Sequence, residues 1–221
     1  LEIVCLLWVY SLKTARMGLL GKKIDSHICF NRFLFRDKFL IFFLILFYNC
    51  CFKNSNRSVD LAPEFDNIVW LNGPEQQITK LVGKVVLIRW WTDECEYCVQ
   101  TSPSLNNWNS ELQDSGLLII GMYHPKPGPR DVEINEIYKY IREKNFLFPI
   151  GIDSEWRNLQ NYWLRYGPKA FTSVSFLIDK KGRIRHVHQG GEFHKDTIVG
   201  HGKCLKDYWE LDSTLRVLLA E

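Results

Sequence analysis

From Leu61 onward, short continuous apolar runs alternate with stretches whose apolar positions recur at helical spacing. Residues 84–91 and 116–124 read as strands. The second carries Leu117-Leu118-Ile119-Ile120-Gly121-Met122-Tyr123 almost unbroken, as a strand covered on both faces should. Residues 67–72 read as a weaker strand. Between the two strong runs, about fifteen residues from Cys95 place Val99, Leu105, Trp108 and Leu112 near helical spacing, with Pro103 as a bend. A strand, a helix and a strand in this order predict two parallel strands joined by a right-handed crossover. Residues 131–144 carry Ile134, Ile137, Tyr138 and Ile141 on one helical face, a short strand follows at 148–152, and a further helix runs around 154–166. Residues 173–178 and 183–188 form a predicted hairpin over Asp179-Lys180-Lys181-Gly182, with glycine where a positive φ is tolerated. Residues 205–219 close the chain as a helix offering Leu205, Trp209, Leu215 and Leu219 for packing. The pattern is that of an α/β domain.

Before Leu61 the pattern is of another kind. The cationic stretch 31–38 precedes Phe39-Leu40-Ile41-Phe42-Phe43-Leu44-Ile45-Leu46-Phe47-Tyr48, too short to span a bilayer comfortably but of the right length for a signal h-region. Export follows as the expectation. The run ends in Asn49-Cys50-Cys51 and turns polar over 53–58, which resembles a bacterial lipoprotein box with Cys50 or Cys51 lipidated. An uncleaved anchor held in the membrane interface by its aromatic residues is the alternative. Residues 1–52 are thus assigned to addressing or anchoring, with Met17 as an alternative start of the leader. Residues 53–61 are read as a tether and 62–221 as the globular domain, facing the periplasm in the cell envelope.

The 221 residues, 46% of them hydrophobic, suffice for one core. The net charge of +3 is small, and no cluster of Lys and Arg interleaved with aromatics forms a phosphate-binding stripe, so nucleic acid is excluded as a partner.

The chemistry concentrates in Cys95-Glu96-Tyr97-Cys98, behind Trp90-Trp91-Thr92-Asp93-Glu94. Two thiols three positions apart, where a strand gives way to a helix, suit dithiol/disulfide exchange. A thiol at the first turn faces unsatisfied N–H groups and the positive helix end, which favour its thiolate and make Cys95 the nucleophile. Cys98, one turn further in, can resolve a mixed disulfide formed at Cys95. Asp93, Glu94 and Glu96 oppose the thiolate and predict a reducing pair. A zinc half-site completed by His201 and Cys204 is the alternative. Val99 stands where a c-type haem motif requires histidine.

The order of these fragments resembles the thioredoxin-like superfamily, in its TlpA-like and redoxin (AhpC/TSA-related) branches. The resemblance rests on Gly83-Lys84-Val85-Val86-Leu87-Ile88-Arg89-Trp90-Trp91-Thr92, the Cys95/Cys98 pair, Phe148-Pro149-Ile150-Gly151-Ile152-Asp153, and Ser175-Phe176-Leu177-Ile178-Asp179-Lys180-Lys181-Gly182-Arg183-Ile184. It implies a central mixed sheet flanked by helices, with a strand and helix inserted between the cysteine unit and the C-terminal hairpin. It further implies a thiol-disulfide oxidoreductase without cofactor. Its partners would be a protein or small-molecule disulfide and a membrane electron donor or other redox protein.

The chain departs from the family pattern at several positions. Ser173, preceded by Thr172, stands where the family places a cis-proline, so its backbone and hydroxyl are expected beside the thiols. Trp91, Tyr97 and Thr172 are expected in a substrate groove and Trp90 in the core. Arg89 replaces a buried acid and reads as a partly exposed side chain whose head reaches a carboxylate. Thr92 matches the Thr-x-x-Cys half of the peroxiredoxin signature, with Ile88 where that signature has proline, so a thiol peroxidase is the second reading. His124, His186, His188 and His194 are placed near the redox edge. His186 and His188 share a strand face and could tune a thiol or, with the cysteines, bind copper, which gives the third reading of a metal-carrying module without turnover.

Overall fold

The structure, a computed structural model, describes residues 60–93, 95–195 and 202–221. The predicted leader and lipid-bearing cysteines, most of the tether, Glu94 and His201 lie outside the described residues. No helix among the described residues is long and apolar enough to cross a membrane.

Six strands form one mixed sheet. They are β1 (Val69–Leu71), β2 (Val85–Trp91), β3 (Leu117–Tyr123), β4 (Ile150–Ile152), β5 (Ser175–Ile178) and β6 (Ile184–His188), in the spatial order β1-β4-β3-β2-β5-β6. The three central strands β4, β3 and β2 are parallel, and β1, β5 and β6 run antiparallel to their neighbours. The parallel pair β2/β3 is joined by α1 (Glu96–Leu112), as the pattern predicted. The inserted unit is α2 (Ile134–Glu143) followed by β4. The helix expected over 154–166 is shorter: α3 covers Arg157–Tyr162, with a 3₁₀ turn at Leu164–Tyr166. The final helix α4 covers Gly202–Ala220.

Every residue of β2 is buried, because alternate side chains enter two different cores. Val85, Leu87 and Trp91 join Leu105 and Trp108 of α1, Ile137 and Ile141 of α2, and Tyr208, Leu211 and Leu215 of α4. Val86, Ile88 and Trp90 join Leu159 and Tyr162 of α3 on the other face. Apolar cover on both faces explains the continuous run in the sequence. Gly182 takes the expected positive φ of 76° in the β5–β6 turn. Asp60 and Leu61, assigned to the tether, already belong to the domain: the Asp60 carbonyl accepts from Ile184 N–H and Leu61 bridges Arg183.

Candidate functional site

The Cys95/Cys98 pair sits where β2 hands over to α1. Cys95 is the N-cap of α1, with extended backbone at φ −104° and ψ 99°, and its sulfur accepts the Cys98 N–H at 3.2 Å. The helix begins here because a side-chain acceptor meets one of the N–H groups that a first turn leaves open. Cys95 and Cys98 form a disulfide with a Cα separation of 5.2 Å. Cys95 is half-buried, whereas Cys98 is 4% exposed and packs into the core beside Trp108 and Phe193. The pair is thus asymmetric.

Two loops meet β2 near this point. Trp90 N–H donates to the carbonyl of Val174 at 2.9 Å, which anchors the segment carrying Thr172 and Ser173. On the other side His124, at the end of β3, donates its backbone N–H to the Trp91 carbonyl at 3.0 Å. Its Nε2 lies 2.8 Å from Thr172 Oγ1, so the histidine bridges the two loops. Its ring also meets Trp156 edge to face at 5.3 Å. Burial, with Lys126 and Arg89 nearby, pushes His124 down to about 3, so the ring is neutral at ordinary pH. Among the described residues the one cis peptide bond precedes Pro127; the Thr172–Ser173 bond is not cis.

Arg89 departs from its sequence reading. It is 1% exposed, and all of its described hydrogen-bond partners are uncharged. Nη1 donates to the Ser173 carbonyl at 2.7 Å and to Ser175 Oγ at 3.2 Å, and Nη2 donates to the Gly191 carbonyl at 2.7 Å. The guanidinium lies 5.2 Å from the centroid of Phe193. Burial lowers it to about 9. An arginine inside a continuous apolar strand was the available signal for this burial.

The expected groove is occupied differently. Trp90 is core, as expected, but Trp91 is core too, at 2% exposure, because the inserted helix lays Tyr140 over its ring at 5.5 Å and Phe146 closes its edge at 5.0 Å. Tyr97 is 50% exposed, and Thr172 is half-buried under the His124 contact. Thr92 is buried and donates its hydroxyl to Asp93 Oδ1 at 3.0 Å, an oxygen that also accepts from Tyr123 at 3.2 Å.

The histidines of β6 do not join the cysteines as a ligand set. His186 faces Glu210 at 3.8 Å, and His188 meets Asp207 of α4 at 3.1 Å. Burial, with Arg89 nearby, lowers His188 to about 4 despite Asp207. Of the two residues that would complete the zinc alternative, His201 lies outside the described residues and the Cys204 thiol donates to Glu192 at 3.2 Å, with His194 alongside. Burial and the Glu192 carboxylate push that thiol up. The His124–Thr172 bridge was not singled out from the sequence, since it joins residues 48 positions apart, and neither was the second cluster, since sequence spacing pairs Cys204 only with His201.

Comparison with known proteins agrees with this architecture. The AhpC/TSA family profile matches residues 59–187. The chain belongs to the AhpC/TSA family. Protein DipZ of Mycobacterium tuberculosis is 33% identical over 149 residues, covering 65% of this chain but only 21% of DipZ. The chain therefore corresponds to about a fifth of that relative's length. The thiol-disulfide oxidoreductase ResA of Bacillus anthracis is 27% identical over 183 residues, covering 78% of this chain and 96% of ResA. Among solved structures, a thiol-disulfide isomerase from Corynebacterium glutamicum superposes with a TM-score of 0.56 at 22% identity, over 72% of this chain and 97% of the other. That likeness establishes the thioredoxin-like fold.

Proposed function

We propose that this protein is a thiol-disulfide oxidoreductase that exchanges disulfides through Cys95 and Cys98, outside the cytoplasm. The observation that carries the reading is the asymmetric pair: a half-buried cysteine whose sulfur caps a helix, disulfide-bonded to a buried one a turn further in. In the reduced protein, the Cys95 thiolate attacks a substrate disulfide, one substrate sulfur leaves as thiolate, and a mixed disulfide remains. Cys98 then loses its proton and attacks Cys95 Sγ, releasing the second substrate thiolate and closing the intramolecular disulfide. Two electrons pass to the substrate, and a second redox protein or small thiol must return them. The names of the ResA relatives support the activity, and the predicted signal or lipoprotein segment supports an envelope location with a membrane tether.

The peroxidase reading shares the family but gains no support from the geometry, since the Thr92 hydroxyl is committed to Asp93. The copper reading loses His186 and His188 to acids of α4. The test is reduction of an insulin or glutathione mixed disulfide by the wild type, Cys95→Ser and Cys98→Ser. Cys95→Ser should be inactive and Cys98→Ser should accumulate a mixed disulfide. Unchanged exchange by Cys95→Ser refutes the reading.

A further inference from the structure

Glu192, His194 and Cys204 bring one oxygen, one nitrogen and one sulfur ligand atom within 4.8 Å of one another. The two elements that carry them are held in place independently. Between Glu192 and His194, the fully buried Phe193 is fixed to α1: its N–H donates to Thr101 Oγ1 and its carbonyl accepts from Ser104 Oγ, both at 3.4 Å, while its ring stacks on Trp108 at 5.6 Å. Cys204 lies in the first turn of α4, and the same end of that helix is tied to β6 by the His188–Asp207 contact at 3.1 Å. His194 is itself 6% exposed. The three ligand groups therefore meet on a prepared frame.

We propose that these three residues form a zinc site distinct from the redox pair. Zinc accepts thiolate, imidazole and carboxylate together, with about 2.3 Å to sulfur and 2.0–2.2 Å to nitrogen and oxygen, which places tetrahedral ligand atoms roughly 3.3–3.6 Å apart. The Cys204 to Glu192 contact, at 3.2 Å, is close to that already. Three protein ligands of these kinds suit zinc, which completes its tetrahedron with one further ligand. Calcium and magnesium call for mostly oxygen ligands and copper(I) for soft sulfur ligands, and the cluster offers one carboxylate and one thiol. On binding, the Cys204 S–H bond breaks, its proton goes to solvent, and a sulfur–zinc bond forms without change of oxidation state. The bound ion would clamp α4 to the segment whose Gly191 carbonyl receives Arg89, and so stiffen the support behind Ser173.

The experiment is isothermal titration of zinc chloride into the full chain with the Cys95–Cys98 disulfide closed, so that neither redox sulfur can ligate. The wild type should bind one equivalent more than Cys204→Ser, and His194→Ala should lose the same equivalent. Glu192→Gln should weaken it by about tenfold or more. Variants are first compared by far-ultraviolet circular dichroism, and Cys204→Ser, at a half-buried position, is the deciding substitution. Cobalt(II) supplies an independent readout: a thiolate-to-metal absorption band should appear in the wild type and vanish in Cys204→Ser. Equal zinc stoichiometry in the wild type and Cys204→Ser, or no binding by either, overturns the site. Disulfide exchange by Cys95 is untouched by that outcome, so the two readings fail separately.

Discussion

Arg89 Nη1 donates to the carbonyl of Ser173 at 2.7 Å, joining β2 to the loop that precedes β5. The other arm of the same guanidinium holds Gly191 at 2.7 Å. One planar cation thus fixes two loops that share no backbone ladder with each other at those residues. The two departures from the family pattern, Arg89 for an acid and Ser173 for a proline, are physically coupled: the arginine supplies the bond that orients the serine backbone.

Because the clamp depends on a fork of donors, lysine cannot replace it. Arg89→Lys keeps the charge but leaves at least one buried carbonyl unpaired, which costs about 1–3 kcal/mol. Urea unfolding should show a lower midpoint with an unchanged slope. A midpoint equal to the wild type would mean that the ammonium reaches both carbonyls and that the fork is dispensable.

The order of elements was legible because β2, β3 and β5 are largely apolar runs and α1, α2 and α4 each show a face at helical spacing. Arg89 was not, because its partners are main-chain carbonyls 84 and 102 positions away, which leave no trace in side-chain identity. The placement of Trp91 failed for a related reason. Alternation put it on the face opposite Trp90, but only the path of the inserted segment shows that Tyr140 and Phe146 cover that face. The position of the cysteine pair between strand and helix was legible, since its spacing, its strand and its helix are all local.

The difference in burial between Cys95 and Cys98 predicts different reactivity. In the reduced protein, iodoacetamide should modify Cys95 at least about tenfold faster than Cys98, since the attacking species is a thiolate the reagent can reach and Cys95 is half-buried where Cys98 is buried. Peptide mapping by mass spectrometry at short times reads the ratio. Equal labelling would remove the basis for distinct nucleophile and resolving roles.

Stability should fall as pH drops below the ordinary histidine range. His124 and His188 are held at about 3 and about 4, against 6.5 for a free imidazole, so the fold contains them neutral. Above pH 6.5 both states are neutral there and the full stability is present. Below it the unfolded chain binds protons that the fold refuses, and each histidine costs up to about 1.4 kcal/mol per pH unit until its folded form titrates. Asp93 beside His124 and Asp207 beside His188 soften the effect, while Arg89 opposes both charges. Asp179 acts lower: burial raises it, but Arg183, Lys181 and Arg185 outweigh that and hold it at about 2, so its contribution is lost below pH 4. Urea unfolding between pH 7 and pH 4 should show the slope, and His188→Gln should flatten it. A pH-independent midpoint over that range contradicts the burial argument.

Gly190 links the clamp to the site from the other side. Its φ of 112° lies in a region L side chains rarely adopt, and an added Cβ would stand 2.4 Å from Phe171 Cβ and 3.3 Å from the Ser173 carbonyl. Neither neighbour can yield freely. The Phe171 carbonyl accepts the Trp163 indole N–H at 2.8 Å, and Ser173 is held by Arg89. Gly190→Ala should therefore cost about 2–4 kcal/mol, combining the left-handed backbone and the overpacking. The displaced loop carries Thr172 and Ser173, so the disulfide-exchange rate should fall further than the unfolded fraction accounts for under conditions where the variant is fully folded. Stopped-flow exchange kinetics alongside the denaturation curve separate the two effects. If the variant loses stability yet exchanges disulfides at the wild-type rate, the 171–173 segment does not set the geometry of the reaction, and Arg89 and Gly190 serve the fold alone.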